Sequence, residues 1–160
     1  MSEYRARTIE KSLNSLIGNC PVIMITGPRQ VGKTTLLNHL SATSNEKINY
    51  ISLDNMLVRS QAKEDPELFL RNYETPLIID EFQYVPELLS YIKIKVDKAR
   101  QSEMFGDGKE VGTLYYLTGS QVFQTMKDVS ESLAGRIGIL DLYGFSTREL
   151  ESKEENIFIP

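Results

Sequence analysis

The chain has 160 residues, 41% of them hydrophobic and 25% charged, which is the profile of a globular domain with one compact core. Its formal net charge of -4 excludes a global electrostatic attraction to nucleic acid, although a local basic patch such as KIKVDKAR is compatible with that charge. No apolar run is long enough to span a membrane, and the N-terminus lacks the apolar segment of a secretory signal. With Cys20 as the single cysteine, we expect a cytoplasmic protein without an internal disulfide.

The first third of the chain alternates between helical and extended patterns. Apolar residues at helical spacing predict an amphipathic helix that begins near Ile9 and ends near Gly18. The run PVIMIT predicts a buried strand, a second helix follows Lys33, and INYISLD predicts a second strand.

The same alternation continues through the rest of the chain. Residues 55–75 predict two helical pieces broken near Pro66, PLIID predicts a third strand, and Pro86 begins another helix. The segment FGDGKEVG predicts an exposed loop, to which we assign no function. The last predicted elements are a strand at TLYYLTGS, a helix at VFQTMKDVSESLAGR and a strand at IGILDLY. Because continuous apolar strands alternate with helices, we predict an α/β fold whose parallel sheet is covered on both faces.

The loop after the first predicted strand matches the pattern G-x-x-x-x-G-K-[ST], in which backbone amides cradle phosphate groups. It consists of Gly27, Pro28, Arg29, Gln30, Val31, Gly32, Lys33 and Thr34, and Thr35 follows. The glycines let the main chain curl so that N–H groups face the phosphates, beside the partially positive end of the next helix. We predict that Lys33 contacts the β and γ phosphates, that Thr34 ligates Mg²⁺, and that Thr35 bonds the α phosphate. The alternative is a mere tight turn.

Two acids end the third predicted strand, in the segment PLIIDEFQ. We predict that Asp80 holds Mg²⁺ through water and that Glu81 orients and deprotonates the attacking water. Acids at such a position also occur as helix caps or solvated turn residues. The interpretation of the two acids as the second half of a nucleotide site therefore depends on the phosphate loop, which would be the first half. One predicted strand lies between the two motifs in the sequence.

Polar residues end the fourth predicted strand, and an arginine precedes the fifth. The fourth strand ends in Thr118, Gly119, Ser120 and Gln121, and a polar side chain there would lie beside the γ-phosphate. The alternative is a strand-to-helix turn with a Ser or Thr cap. Arg136 either cancels transition-state charge at a phosphate or is a solvated arginine at a helix end.

Four segments carry a further pattern: GPRQVGKTTLL, IIDEFQYVPELL, LTGSQVF and SESLAGRIGILDLYGFSTREL. In order and spacing they resemble the AAA+-type P-loop ATPases of bacteria and archaea, over nearly the whole chain. The resemblance implies a three-layer αβα sandwich with a five-stranded parallel sheet in the order 5-1-4-3-2, and Mg-ATP as ligand. It assigns γ-phosphate sensing to Gln121 or Ser120 and an arginine finger to Arg136.

The resemblance also bears on domain organisation. Members of this group usually continue past STREL into a further region. We therefore expect residues 1–160 to form a single ATPase core, with an N-terminal helix within residues 1–20. Residues 151–160 would then begin a C-terminal region that this chain lacks.

Three functions remain open from the sequence alone. The first is an ATPase whose hydrolysis drives a conformational change in a neighbouring domain or partner. The second is a binding switch, in which nucleotide occupancy alone changes the affinity for a protein or DNA partner, with little or no turnover. A small-molecule phosphotransferase ranks third, because there is no arginine-rich lid segment and Glu81 suits water better than an acceptor. An arginine finger that acts between subunits would require a homo-oligomer.

Overall fold

The computed structural model describes residues 9–28, 32–106, 111–120 and 123–142. Within these ranges the chain alternates between strands and helices, as predicted. The strands are β1 Val22–Thr26, β2 Asn49–Ser52, β3 Leu77–Asp80, β4 Tyr115–Gly119 and β5 Ile137–Asp141. The helices are α1 Glu10–Leu16, α2 Lys33–Thr43, α3 Met56–Glu64, α4 Pro66–Arg71, α5 Leu88–Phe105 and α6 Phe123–Ser132.

The strands form one parallel sheet in the order β2-β3-β4-β1-β5. Counted from the other edge this order is 5-1-4-3-2, so the expected fold and strand order are confirmed. β4 lies between β1 and β3, the two strands that precede the phosphate loop and the acids. Because the strands are parallel, their carboxyl ends meet at one edge, where open α/β sheets bind ligands.

Helices cover both faces of the sheet. α1 and α2 pack on one face, where Leu13 and Leu37 contact a core that includes Ile23 and Ile25 of β1. The other helices pack on the opposite face, against a core that includes Met24. Alternate residues of β1 thus pack in the cores on opposite faces of the sheet, and every residue of the strand is buried. This explains the continuous apolar run from which β1 was predicted.

Capping side chains explain the break between the two helices that follow β2. The Oδ1 of Asn55 accepts a hydrogen bond from the N–H of Leu57 and so begins α3. The Oδ1 of Asp65 accepts one from the N–H of Leu68, and Pro66 takes the first position of α4. The predicted break near Pro66 is therefore confirmed.

One predicted boundary was wrong. The helix expected from Pro86 begins at Leu88, because a short 3-10 helix, Phe82–Tyr84, first turns the chain after β3. Residues 107–110 of the predicted FGDGKEVG loop, and residues 151–160, lie outside the described ranges. None of the helices within those ranges combines the length and apolarity that a bilayer crossing requires.

Candidate functional site

The phosphate-loop pattern lies at the carboxyl edge of the sheet, between β1 and α2. Gly27 follows the last residue of β1, and Gly32 is the N-terminal cap of α2. Gly32 has a φ of 92°, in the left-handed region, where a Cβ would be strained, so glycine is required there. Arg29, Gln30 and Val31 lie outside the described residues, and their phosphate contacts stay predictions.

The first turn of α2 has the features of an anion site. Its cap, Gly32, has no side chain that could accept hydrogen bonds from the first N–H groups of the helix. The turn also contains no acidic residue. The backbone N–H groups of a first helical turn lack intrahelical partners, and the helix dipole places partial positive charge there. Thr35, in this turn, is exposed. The start of α2 therefore suits a phosphate group.

The ammonium group of Lys33 lies beside the first two residues of the loop pattern. Its Nζ donates hydrogen bonds to the backbone carbonyls of Gly27 and Pro28, at 2.8 Å each. Lys33 is only 6% exposed. A buried charge is tolerated only when polar groups surround it, and the two carbonyl oxygens meet that need. The cation is thus held next to the N–H groups that begin α2.

The two predicted half-sites meet at Thr34 and Asp80. The Oγ1 of Thr34 donates to both carboxylate oxygens of Asp80, at 2.9 and 3.0 Å. Thr34 is in the first turn of α2, and Asp80 is the last residue of β3 and 6% exposed. The phosphate loop and the acidic motif, far apart in the sequence, therefore share one location.

A second hydroxyl reaches Asp80 from β2. The Oη of Tyr50 donates to Oδ2 of Asp80 at 2.7 Å. The pKa of the Tyr50 phenol lies well above its usual value, first because of burial and then because of this hydrogen bond to Asp80. The phenol therefore stays protonated at neutral pH and acts as a donor.

The sequence analysis did not identify Tyr50 as part of the site. Strand β2 and its place beside β3 were expected, but the register of the two strands was not. Ser52 pairs with Asp80, so Tyr50, with its side chain on the same side of β2 as Ser52, projects on the same face of the sheet as Asp80. Two observations together could have identified Tyr50. In INYISLD, Tyr50 and Ser52 lie on the same face of the strand, and the strand order places β2 beside β3, which ends in Asp80.

A third hydroxyl, from Thr118 of β4, connects the two acids. Its Oγ1 donates to Oδ1 of Asp80 and accepts a hydrogen bond from the backbone N–H of Glu81, at 3.0 Å. Glu81 has φ 57° and ψ 47°, a left-handed conformation that is uncommon and unfavourable for a residue with a side chain. The Glu81 carboxylate accepts a hydrogen bond from Nε2 of Gln83. The backbone and the side chain of Glu81 are both held.

An open cleft of about 600 Å³ lies at this edge of the sheet, lined by both acids, Lys33 and Thr34 among others. Its lining residues are Gly32, Lys33, Thr34, Thr35, Tyr50, Ser52, Asp54, Asp80, Glu81 and Tyr84. A hydroxyl and a carboxylate side by side are the hard oxygen donors that Mg²⁺ prefers, with waters and phosphates as its remaining ligands. Throughout the described ranges, no three His, Cys, Asp or Glu side chains are grouped as an all-protein metal site would need. The cleft therefore fits a magnesium-bound phosphate chain.

The remaining predicted site residues are placed differently. Ser120 directly follows β4 at the carboxyl edge, but it is not among the residues that line the cleft. Gln121 lies outside the described residues. A role in γ-phosphate sensing therefore stays a prediction for both.

Arg136 lies at the opposite edge of the sheet. Its backbone carbonyl accepts a hydrogen bond from the N–H of Val22, the first residue of β1, at 3.1 Å. At about 3.3 Å per residue, the length of β1 places this edge roughly 20 Å from Gly27. The guanidinium pairs with Asp97 of α5, with Nε 2.7 Å from Oδ1 and Nη2 3.3 Å from Oδ2. The structure does not bring Arg136 to the other candidate residues of its own chain.

Comparison with known families assigns the chain. A family model described as an AAA domain matches residues 19–151, which include the phosphate loop, both acids and Arg136. The chain belongs to this AAA domain family. The AAA domain has the P-loop α/β fold, so the resemblance found in the sequence is confirmed, and the family implies nucleotide binding.

Two curated relatives similar to the AAA domain are described as uncharacterized proteins. One is from Mycobacterium tuberculosis and one from Mycobacterium bovis, and each is 30% identical over 140 residues. The matched segment is 88% of this chain and 29% of each relative, so the chain spans less than a third of their length.

Similar solved structures support the fold. The ORC2 protein of Aeropyrum pernix in its ADP form has a TM-score of 0.53 at 18% identity, over 98% of this chain and 53% of that one. A RuvB variant of Thermotoga maritima has a TM-score of 0.53 at 20% identity, over 94% and 50%. The Pif1 helicase of Bacteroides, in complex with ADP-AlF3 and single-stranded DNA, has a TM-score of 0.52 at 18% identity, over 91% and 43%. At such identities the similarity is evidence of fold alone.

Proposed function

We propose that this AAA domain binds Mg-ATP at the carboxyl edge of its sheet and hydrolyses it. The observation that carries the proposal is the pair of hydrogen bonds from Thr34 to Asp80, at 2.9 and 3.0 Å. They join the loop that suits phosphates to the acid that suits the metal. Membership of the family supports nucleotide binding and hydrolysis in general, whereas ATP, Mg²⁺ and the residue roles are our proposal.

The phosphate loop and the start of α2 would bind the triphosphate. The backbone N–H groups of residues 27 and 29–35, including those of Arg29, Gln30 and Val31, would face the phosphate oxygens, while Pro28 has no N–H to donate. The Thr35 hydroxyl would bond the α phosphate. Lys33 would exchange its two carbonyl partners for β and γ phosphate oxygens, which are stronger acceptors because they are charged.

Thr34 and Asp80 would hold the metal, the hydroxyl directly and the carboxylate through water. Mg²⁺, when bound, would neutralise charge on the β and γ phosphates. The geometry of the pair supports this role, because both oxygen donors lie in the same cleft as the ammonium group of Lys33.

Glu81 would act as the general base. In the hydrolysis a water oxygen forms a bond to the γ phosphorus, the bond to the bridging oxygen breaks, and the water proton passes to the Glu81 carboxylate. The position of Glu81 beside Asp80 and in the wall of the cleft supports this role. Ser120 or Gln121, at the end of β4, would sense the γ phosphate.

Arg136 would act on the nucleotide of a second copy of the chain. It lies at the amino edge of the sheet, roughly 20 Å from its own phosphate loop by the rise of β1, so a contact within one chain is not supported. A homo-oligomer in which one amino edge faces the carboxyl edge of the next copy would supply the missing cation.

A phosphate-release assay with Glu81→Gln tests the proposal. The substitution keeps the shape and hydrogen-bonding capacity of the side chain but removes the base, so the rate should fall by about 100-fold or more, with ATP binding retained. Glu87→Gln is the matched control, because Glu87 is exposed and outside the cleft. Equal rates for wild type and Glu81→Gln would remove Glu81 from catalysis.

A binding switch with little turnover is the second candidate. Two observations favour low turnover. The Glu81 carboxylate accepts a hydrogen bond from Gln83, and a single chain does not place Arg136 at its own site. Nucleotide occupancy would then change the affinity for a protein or DNA partner. Tight binding of ATP with negligible phosphate release at every protein concentration would support the switch over the ATPase.

A further inference from the structure

Tyr50 reaches the proposed metal site from a strand that carries none of the motif residues. β2 is the edge strand of the sheet, where Tyr50 pairs with Ile78 and Ser52 pairs with Asp80. Ile78 belongs to the core beneath α2. Because alternate residues of a strand share a face, Tyr50 and Asp80 project on the face that α2 covers. The phenol ring extends along this face toward the carboxylate.

Three hydroxyl groups converge on the carboxylate of Asp80. Thr34 donates to both oxygens, Tyr50 donates to Oδ2 at 2.7 Å, and Thr118 donates to Oδ1. An ionised carboxylate has about four lone-pair sites, so three donors leave it little rotational freedom. Among the donors that the described residues supply, Tyr50 is the one whose hydrogen bond goes to Oδ2 alone, because the Thr34 donor is shared with Oδ1.

The three donors differ in how firmly they are held. Thr118 is fully buried, and Thr34 is fixed in the first turn of α2. Tyr50 is 46% exposed and lines the cleft. Removal of its hydroxyl therefore opens no cavity in the core.

We propose that Tyr50 is a positioning residue for Asp80, whose hydroxyl fixes Oδ2 so that a remaining lone pair faces the magnesium-bound water. This inference rests on the proposed function, because it concerns the metal of that same site. Tyr50 acts through Asp80 rather than on the nucleotide. Its loss leaves Oδ2 with only the shared bond from Thr34, so the carboxylate can rotate about its Cβ–Cγ bond.

The opposite role, competition between the phenol and the metal-bound water, fits the geometry less well. Tyr50 uses one lone pair of Oδ2. The Thr34 proton is shared between both oxygens, so it can move to one of them and open a lone-pair site while Tyr50 stays in place. The metal site thus forms without displacement of the phenol.

The test compares wild type with Tyr50→Phe, which keeps the ring and removes only the hydroxyl. A fluorescent ATP analogue is titrated at a series of Mg²⁺ concentrations and again in excess EDTA. We expect the Mg²⁺ concentration for half-maximal enhancement of binding to rise about tenfold, the size expected for loss of one hydrogen bond to a charged group. Affinity in EDTA should be unchanged, since Tyr50 acts through Asp80 rather than on the nucleotide. Tyr73→Phe, which removes a hydroxyl outside the cleft, is the matched control and should behave as wild type.

The outcomes separate this inference from the proposed function. An unchanged Mg²⁺ requirement in Tyr50→Phe, beside a wild type that responds to Mg²⁺, overturns the positioning role alone. A lowered requirement also overturns it, because the phenol would then compete with the metal. A wild-type chain that binds no nucleotide with or without Mg²⁺ overturns the proposed function and the inference with it.

Discussion

The hydroxyl of Thr118 donates a hydrogen bond to the carboxylate of Asp80 and joins β4 to β3 at the carboxyl edge of the sheet. The same oxygen accepts the backbone N–H of Glu81 at 3.0 Å. Thr118 is fully buried, so water cannot replace it as a partner for either group. The placement of both acids therefore depends on one buried hydroxyl.

Thr118→Val should destabilise the fold by about 1–3 kcal/mol, because an almost isosteric methyl group removes one hydrogen bond to the buried Asp80 carboxylate and leaves the part-buried N–H of Glu81 without the Thr118 hydroxyl. Urea unfolding at neutral pH measures the loss. Thr118→Ser keeps the hydroxyl and is the control, with a smaller loss from the missing methyl group. A valine variant as stable as the serine variant would show that the shared hydroxyl contributes nothing.

Lys33→Ala should weaken the binding of Mg-ATP by about tenfold or more, as expected for the loss of charged hydrogen bonds to phosphate. Isothermal titration of ATP, ADP and AMP locates the effect. AMP lacks the β and γ phosphates, so its affinity should hardly change. Lys93→Ala, at an exposed position of α5, controls for the loss of one positive charge. Unchanged ATP affinity in Lys33→Ala would contradict our placement of the triphosphate.

Arg136→Ala should slow phosphate release by about 10³-fold if the arginine contacts the nucleotide of a second copy. A mixing experiment tests the direction of action. Glu81→Gln lacks the base and Arg136→Ala lacks the finger, so each should be inactive alone and their mixture should regain activity at the intact interfaces. Asp97→Ala breaks the same ion pair but keeps the cation, and it controls for structural damage. A mixture with no recovery would argue for a purely structural Arg136.

The pair of Arg136 and Asp97 should give a pH-dependent contribution to stability. The hydrogen bond from Arg136 lowers the pKa of Asp97 below its ordinary value of 3.8. A carboxyl group with a lowered folded-state pKa stabilises the fold above its unfolded pKa, and this contribution is lost as the pH falls through the folded value. Because the Asp97 side chain is 39% exposed, solvent screening limits the effect at pH 7 to about 1 kcal/mol.

Asp97→Asn provides the measurement for this pair. Urea unfolding of both proteins should show wild type as the more stable at pH 7, and the difference should shrink toward zero as the pH falls below 3.8. Added salt should reduce it at pH 7. A difference that is the same at both ends of the titration would mean that packing, not charge, is responsible.

The sequence by itself determined the parts of the protein that depend on local physics. Continuous apolar strands such as Val22–Thr26 alternate with helices, and this pattern is enough to specify a covered parallel sheet. The phosphate loop was visible because the glycines, lysine and threonine of its pattern lie within eight consecutive residues, between a predicted strand and a predicted helix. The start of α5 was missed because the 3-10 turn at Phe82–Tyr84 is set by its position after β3, which the proline signal does not report.

The tertiary structure alone decided which side chains hydrogen-bond to Asp80. Tyr50 and Thr118 reach Asp80 only because β2 and β4 are both neighbours of β3, in registers that place their hydroxyl groups beside one carboxylate. Arg136, at the amino edge, is separated from its own phosphate loop by the length of a strand. Strand order and register arise from the packing of the whole sheet against two layers of helices, and a local stretch of sequence does not contain that information.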